Sequence, residues 1–255
     1  MSTETTLAVA AMVLSVVSVV VSGLFSARTV RLAHELEEER QRQSEQRSAL
    51  EAASRIYEPL AQAAAELQAR IYNIVRTGWV GLVARYEGHG DYAVTSTAFL
   101  FAHYFGWIEA RRQAVLTSSG EGRRDTEVAR AINAVRQTLR ESAFDESFLF
   151  MNVEQRAIGE LMFRWEAAPG DGQRLPHVDG YAAFMERWRT DEHFRAWFGS
   201  VGRGLHGLET GDTGRLVEIH GELLALIKVL DPNRRYTTRY VLTSIEDEVE
   251  ETADR

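Results

Sequence analysis

Seven histidines, the carboxylates near them and the paired arginines are the side chains of this 255-residue chain that could do chemistry. No cysteine is present, which excludes thiol nucleophiles, zinc-thiolate sites and disulfide frameworks. His103 is the polar residue within the apolar run Ala98–Ile108. A buried imidazole must find a hydrogen-bond partner, so it either meets a ligand in the core or serves there as a paired structural group. With Glu109 and Arg111 close behind, it outlines a candidate catalytic set for a lipid or other membrane-associated substrate. That reading requires the three side chains to converge, which spacing alone cannot show.

Other chemistries lack their patterns. His193, His206 and His220 form no His-x3-His face, and the paired Glu-x-x-His of di-metal bundles is absent. Glu218, His220 and Glu222 are two apart and splay around a helix; no metal or cofactor is expected. The glycine-rich Gly199–Gly204 lacks the Lys-Ser/Thr ending of a phosphate-binding loop. No Gly-x-Ser-x-Gly elbow occurs. Arg111 and Arg112, with Arg123 and Arg124 nearby, could hold a phosphate or an acidic partner, though such arginines are more often a solvated face. The aromatic groups around Phe99–Trp107 and Trp188–Phe198 suit a bundle core better than a ligand pocket.

The element that would place this chemistry in the cell is the segment Leu7–Ala27, LAVAAMVLSVVSVVVSGLFSA, which carries no charge over 21 residues. About 20 apolar residues in a helix span a bilayer core, and backbone pairing in hydrocarbon requires that helix. A cleaved signal peptide fits less well. MSTETT holds no basic residue, the apolar core is long, and Phe25 occupies a position that cleavage reserves for a small residue. Basic residues lie only on the C-terminal flank, at Arg28, Arg31, Arg40, Arg42 and Arg47, so the bulk of the chain is expected in the cytoplasm, with residues 1–6 outside. Ala8, Ala11, Ser15, Ser18, Ser22 and Ser26 recur every three or four residues and would form one small-residue stripe. Such stripes let helices associate in lipid, which suggests a homo-oligomer joined through the membrane.

Residues 28–57 read as a helical stalk. EEERQRQSEQRS, from Glu37 to Ser48, holds no apolar residue and so offers no coiled-coil seam. Residues 58–242 should form one multi-helix bundle, and 243–255 an acidic disordered tail. The expected fold class is all-α, with room for a minor short strand or two. Pro59 should reset the chain and open an amphipathic helix carrying Leu60, Ala64, Leu67, Ile71, Ile74, Val75, Trp79, Leu82 and Tyr86. Ala98–Ile108 is apolar all round and too short for a second span, hence a buried central helix. Val128, Ile132, Val135 and Leu139 mark the next helix, capped at Asp125 or Thr126. Asn152, with Gln155 reaching back, should cap another.

The Pro/Gly-containing Ala167–His177 reads as a mobile loop or boundary, and Gly199–Gly214 as loop. FLFM, within Ser142–Met151, reads as a strand or a wedge into the core. Two short helices are expected near Tyr181–Trp188 and Asp191–Phe198, the second capped by Thr190. Leu216, Ile219, Leu223, Leu226, Ile227 and Leu230 define a last helix, stopped at Asp231-Pro232. Tyr236–Val241 has strand-like composition.

Charge narrows the partners. The net charge is −8, of which the last ten residues contribute −5, so no nucleic-acid-binding field exists. Lys228 is the single lysine, a bias expected of GC-rich, bacterial coding. The sequence therefore describes a single-pass membrane protein whose helical cytoplasmic domain acts as an interaction, scaffold or sensor-effector module with a protein partner. The alternative is the membrane-associated enzyme outlined by His103, Glu109 and Arg111.

Overall fold

A computed structural model describes residues 37, 39–41, 54–85, 90–117, 123–168, 170, 174–208, 213–240 and 242–245. The segment Leu7–Ala27 with its small-residue stripe, and most of the stalk, lie outside the described residues. Glu37, Glu39, Arg40 and Gln41 are helical and exposed. Among the described residues, no helix is long and apolar enough to cross a membrane. The chain divides into Met1–Ala53 and Ser54–Arg255. The second unit buries Ile56 and Tyr57, shortly ahead of the expected start at 58.

The second unit is mostly helical. Helix α1 (54–76) runs straight through Pro59, which therefore does not reset it. Its stripe is as expected: Leu60, Ala64, Leu67 and Ile71 are fully buried. It does not continue to Tyr86, because Gly78 adopts a left-handed φ of 63° and separates α2 (Trp79–Ala84), leaving Leu82 half exposed. A β-branched or bulky residue resists that conformation, so the single glycine ends the helix.

Helix α3 (Gly90–Thr117) is the central element. It buries Ala98, Phe101, Ala102, Tyr104, Phe105 and Ala110, and packs against α2, α5 (Asn152–Met162), α6 (Tyr181–Thr190), α8 (Gly199–Gly207) and the hairpin. Its polar start is satisfied internally. Thr95 and Ser96 hydroxyls donate to the carbonyls of Asp91 and Tyr92, and Arg70 of α1 donates to Ser96 and Thr97 at 2.8 and 3.0 Å. Helix α4 (Arg123–Arg140) begins two residues ahead of Asp125 and buries Val128, Ile132, Val135 and Leu139 as the spacing predicts. It packs on α9 (Gly214–Leu230), whose six spaced apolar residues are all buried and which ends at Asp231.

Between α4 and α5 the FLFM segment is a wedge, not a strand. Phe148 takes a φ of 55°, donates its N–H to Ser200 O, and drives its ring against Gly204. Phe150 stacks beside Phe101 and Phe105, with ring centroids 5.2 and 5.4 Å away. The cap of α5 falls on Met151: its N–H donates to Glu154 at 2.7 Å, while Gln155 turns into the core instead of reaching back.

The expected loop 167–177 is in part strand: Ala167 ends β1 (Phe163–Ala167) and 174–177 belong to β2 (Arg174–Val178), paired antiparallel in the register Phe163↔Val178 and Trp165↔Pro176. Asp191, not Thr190, caps α7 (Glu192–Ala196) by accepting from Phe194 N at 3.0 Å; the Thr190 hydroxyl bonds back to Glu186 O. Gly199–Gly207 is helix, not loop, because Ser200, Val201, Gly204 and Leu205 recur on one face and are buried there. Residues 236–240 are irregular, not strand: the Asp231 carboxylate gathers the N–H groups of Arg235, Tyr236 and Thr237 at 2.7–2.9 Å. In the expected tail from 243, Ile245 is buried, and 246–255 lie outside the described residues.

Candidate functional site

The structure separates the three residues that the sequence grouped. His103 stacks on Phe99 at 5.3 Å and accepts a hydrogen bond from Trp107 Nε1 at 3.1 Å. It is thus a neutral imidazole, and its Nδ1 is buried with no protein partner among the described residues. Burial pushes its pKa down, opposed by the charge of Glu66. Six residues along α3, Glu109 points a different way and is 3% exposed. Arg111 donates to the Asp125 carbonyl at the start of α4. The other sequence candidates also part company: His220 is buried while Glu218 is exposed, and His193 and His206 are exposed. Among the described residues no His, Asp and Glu are grouped to hold a metal ion.

A different constellation forms between α3, α4 and α5. Arg112 clamps Glu109 with two bonds of 2.6 and 2.7 Å, and Gln113 adds a third at 2.7 Å. The i,i+3 and i,i+4 spacings on one helix produce this directly, and the fork-to-carboxylate geometry is the strong form of such a pair. Across from it, Gln155 of α5 is nearly fully buried and ties three elements together. Its Nε2 donates to Phe150 O and Arg136 O at 2.8 and 3.1 Å, and its Oε1 accepts from Arg136 Nε at 3.2 Å. Arg156, one residue on, bonds Glu160 at 2.8 Å.

These side chains line a half-open pocket of about 110 Å³ floored by Phe105 and Ile108. Three guanidinium groups, from Arg112, Arg136 and Arg156, face one lining carboxylate, Glu109. Arg136 is half buried and forms no ion pair with a described residue. Desolvation lowers its pKa, and the neighbouring charges of Arg140 and Arg156 lower it further, against the pull of Tyr104 and Glu109. Among the described residues the lining supplies positive charge, N–H donors and the Glu109 carboxylate, and no hydroxyl, thiol or imidazole; such a set can hold an oxyanion.

Of this pocket, sequence reasoning reached Glu109 and Arg112 and missed Arg136, Gln155 and Arg156. One signal was available. Arg136 stands next to Val135 and four residues after Ile132, on the margin of the buried stripe of α4, where a charged head must meet whatever packs beside it. The pairing of that margin with α5 was not in the sequence pattern. Arg123 and Arg124, grouped with Arg112 by sequence, have no described side chains.

Fold and site define a mostly helical protein with an arginine-lined pocket at a three-helix junction. No known protein family, curated protein or solved structure matches the chain.

Proposed function

We propose that the protein is a single-pass membrane-anchored helical module that binds a partner at the cytoplasmic face of the membrane, as an interaction or sensor-effector domain. The observation that carries this reading is the charge-free stretch Leu7–Ala27 with arginines on its C-terminal flank only. Its length matches a bilayer core and its flanks follow the positive-inside bias. The exposed helical residues Glu37, Glu39, Arg40 and Gln41 support a solvated stalk between anchor and domain. The stripe Ala8, Ala11, Ser15, Ser18, Ser22 and Ser26 supports association of two or more anchors. In a sensor-effector of this kind, a ligand in the helical unit would bias that association.

The cysteine-free chain makes the test direct. Ser2→Cys and Thr252→Cys are each introduced alone, and intact cells are treated with a membrane-impermeant maleimide. The expected result is labelling at position 2 only, with both variants remaining in the pellet after alkaline carbonate. Release of the chain by carbonate, or labelling at position 252, would end this reading.

A further inference from the structure

We propose that the pocket between α3, α4 and α5 is a binding site for a phosphate group, held by the guanidinium groups of Arg112, Arg136 and Arg156 over the apolar floor of Phe105 and Ile108.

Three observations carry it. The three guanidinium groups come from three different helices and converge on one small pocket. Convergence from separate elements is what long-range packing must specify, unlike a run of arginines along one exposed face. The lining carboxylate, Glu109, is already occupied by Arg112 and Gln113, so it leaves Arg136 without a carboxylate at the pocket. Glu160 partly offsets Arg156 through its Nε and stands 3.8 Å from Arg112. Arg136 keeps only Nε engaged within the protein, by a neutral amide, and no described carboxylate pairs with its Nη groups. Holding a half-buried cation among like charges is unfavourable unless an anion completes the set.

Size and geometry select the ligand class. A pocket of about 110 Å³ admits a group the size of phosphate. Guanidinium N–H groups match phosphate oxygens with charge-assisted hydrogen bonds: Arg136 and Arg156, engaged at Nε, offer their Nη groups, and Arg112, engaged at Nε and Nη2, offers Nη1. The phosphate could belong to a soluble phosphate or to a lipid headgroup, which the chemistry of the pocket does not distinguish. The assignment does not depend on the membrane reading above: a soluble chain would carry the same pocket.

The test uses the full chain in phosphatidylcholine nanodiscs, titrated calorimetrically with inorganic phosphate at constant ionic strength. One phosphate per chain is expected, weakened about tenfold or more in Arg136→Gln and in Arg156→Gln. Arg130→Gln, an exposed position on the same helix, should stay within about twofold of the parent. Arg136→Gln also loses the Nε bond to Gln155, so phosphate affinity, measured well below the variant's melting point, is the deciding readout. A purely structural arginine would leave phosphate affinity in place in the folded variant, which would overturn the proposal. So would absence of phosphate binding, or acetate binding as tightly as phosphate. Repeating the titration in discs containing phosphatidic acid identifies the source. Phosphate binding suppressed by the lipid supports a headgroup ligand, and unchanged binding supports a soluble one.

Discussion

The crossing of α3 and α5 sets the pocket, and a single methyl group should disturb it. At Gly159 an added Cβ would lie 2.7 Å from the backbone oxygen of Phe105 and 3.1 Å from Glu109 Cβ. A backbone oxygen inside a helix cannot rotate aside, so Gly159→Ala must push the two helices apart by on the order of 0.5 Å to restore ordinary contact. Overpacking of this kind costs about 1–3 kcal/mol, while replacing glycine within a helix returns up to about 1 kcal/mol. The net expectation is a loss of roughly 1–2 kcal/mol, or about 2–8 °C in melting point for a unit of this size. Gly221→Ala provides the internal comparison. It lies on the exposed face of α9 with nothing within 4 Å of the added carbon, so only the helix-propensity gain applies. Its melting point should rise by about 2–4 °C. Both are read by circular dichroism on the full chain in one detergent. If Gly159→Ala melts at or above the parent, the close α3–α5 approach is wrong, and with it the geometry of the Glu109–Arg112–Arg136 pocket.

Three further outcomes follow from buried polar groups. His220 accepts from Gln68 at 2.8 Å, and burial pulls its pKa from 6.5 to about 4. The unfolded chain therefore takes up the proton first: this stability is complete above pH 6.5 and drains as pH falls toward 4. The amount is on the order of 3 kcal/mol; denaturant midpoints across that window should show it, and His220→Gln should flatten the slope. At Asp231, burial raises the carboxyl pKa, but the N–H groups of Tyr236, Arg235 and Thr237 outweigh it and hold the group low. Its stability is thus present above the ordinary carboxylate pKa and lost as pH falls through the folded value. Asp231→Ala strands those N–H groups and should cost roughly 2–4 kcal/mol at neutral pH in a urea titration. Arg215, 3% exposed on α9, bonds the carbonyls of Thr138 and Leu139 that end α4 and the carbonyl of Asp145. Arg215→Met keeps the apolar stem but abandons those carbonyls, and a loss of about 2–4 kcal/mol is expected by the same titration. Under the proposed membrane reading, Ser15, Ser18 and Ser22 all changed to Leu should reduce full-chain cross-linking in membranes while leaving the domain's melting point unchanged.

Local pattern alone determined much of this fold. The stripes of α1, α4 and α9 were legible because apolar spacing near 3.6 residues has one burial solution on a helix. The all-round apolar run of α3 was legible as a central helix because its length is wrong for a membrane and its polar residues are few. The Asp231-Pro232 stop needed no partner either. What failed locally was decided by distant neighbours. In Gly199–Gly207 the face carrying Ser200, Val201, Gly204 and Leu205 is buried where Phe148, some fifty residues away in sequence, packs beside Gly204. Thr190 lost its cap to Asp191, and Asn152 to Met151, because cap geometry depends on the entry angle of the chain rather than on residue type. The pocket is the clearest case. Glu109 and Arg112 are neighbours by helical spacing and could be read together from the sequence. Arg136 and Arg156 join them only because Gly159 lets α5 approach α3, and Gln155 then fastens α5 to α4. Spacing along a chain defines the faces of its helices; which faces meet is a property of packing between elements far apart in sequence, and the arginines converge only through that packing.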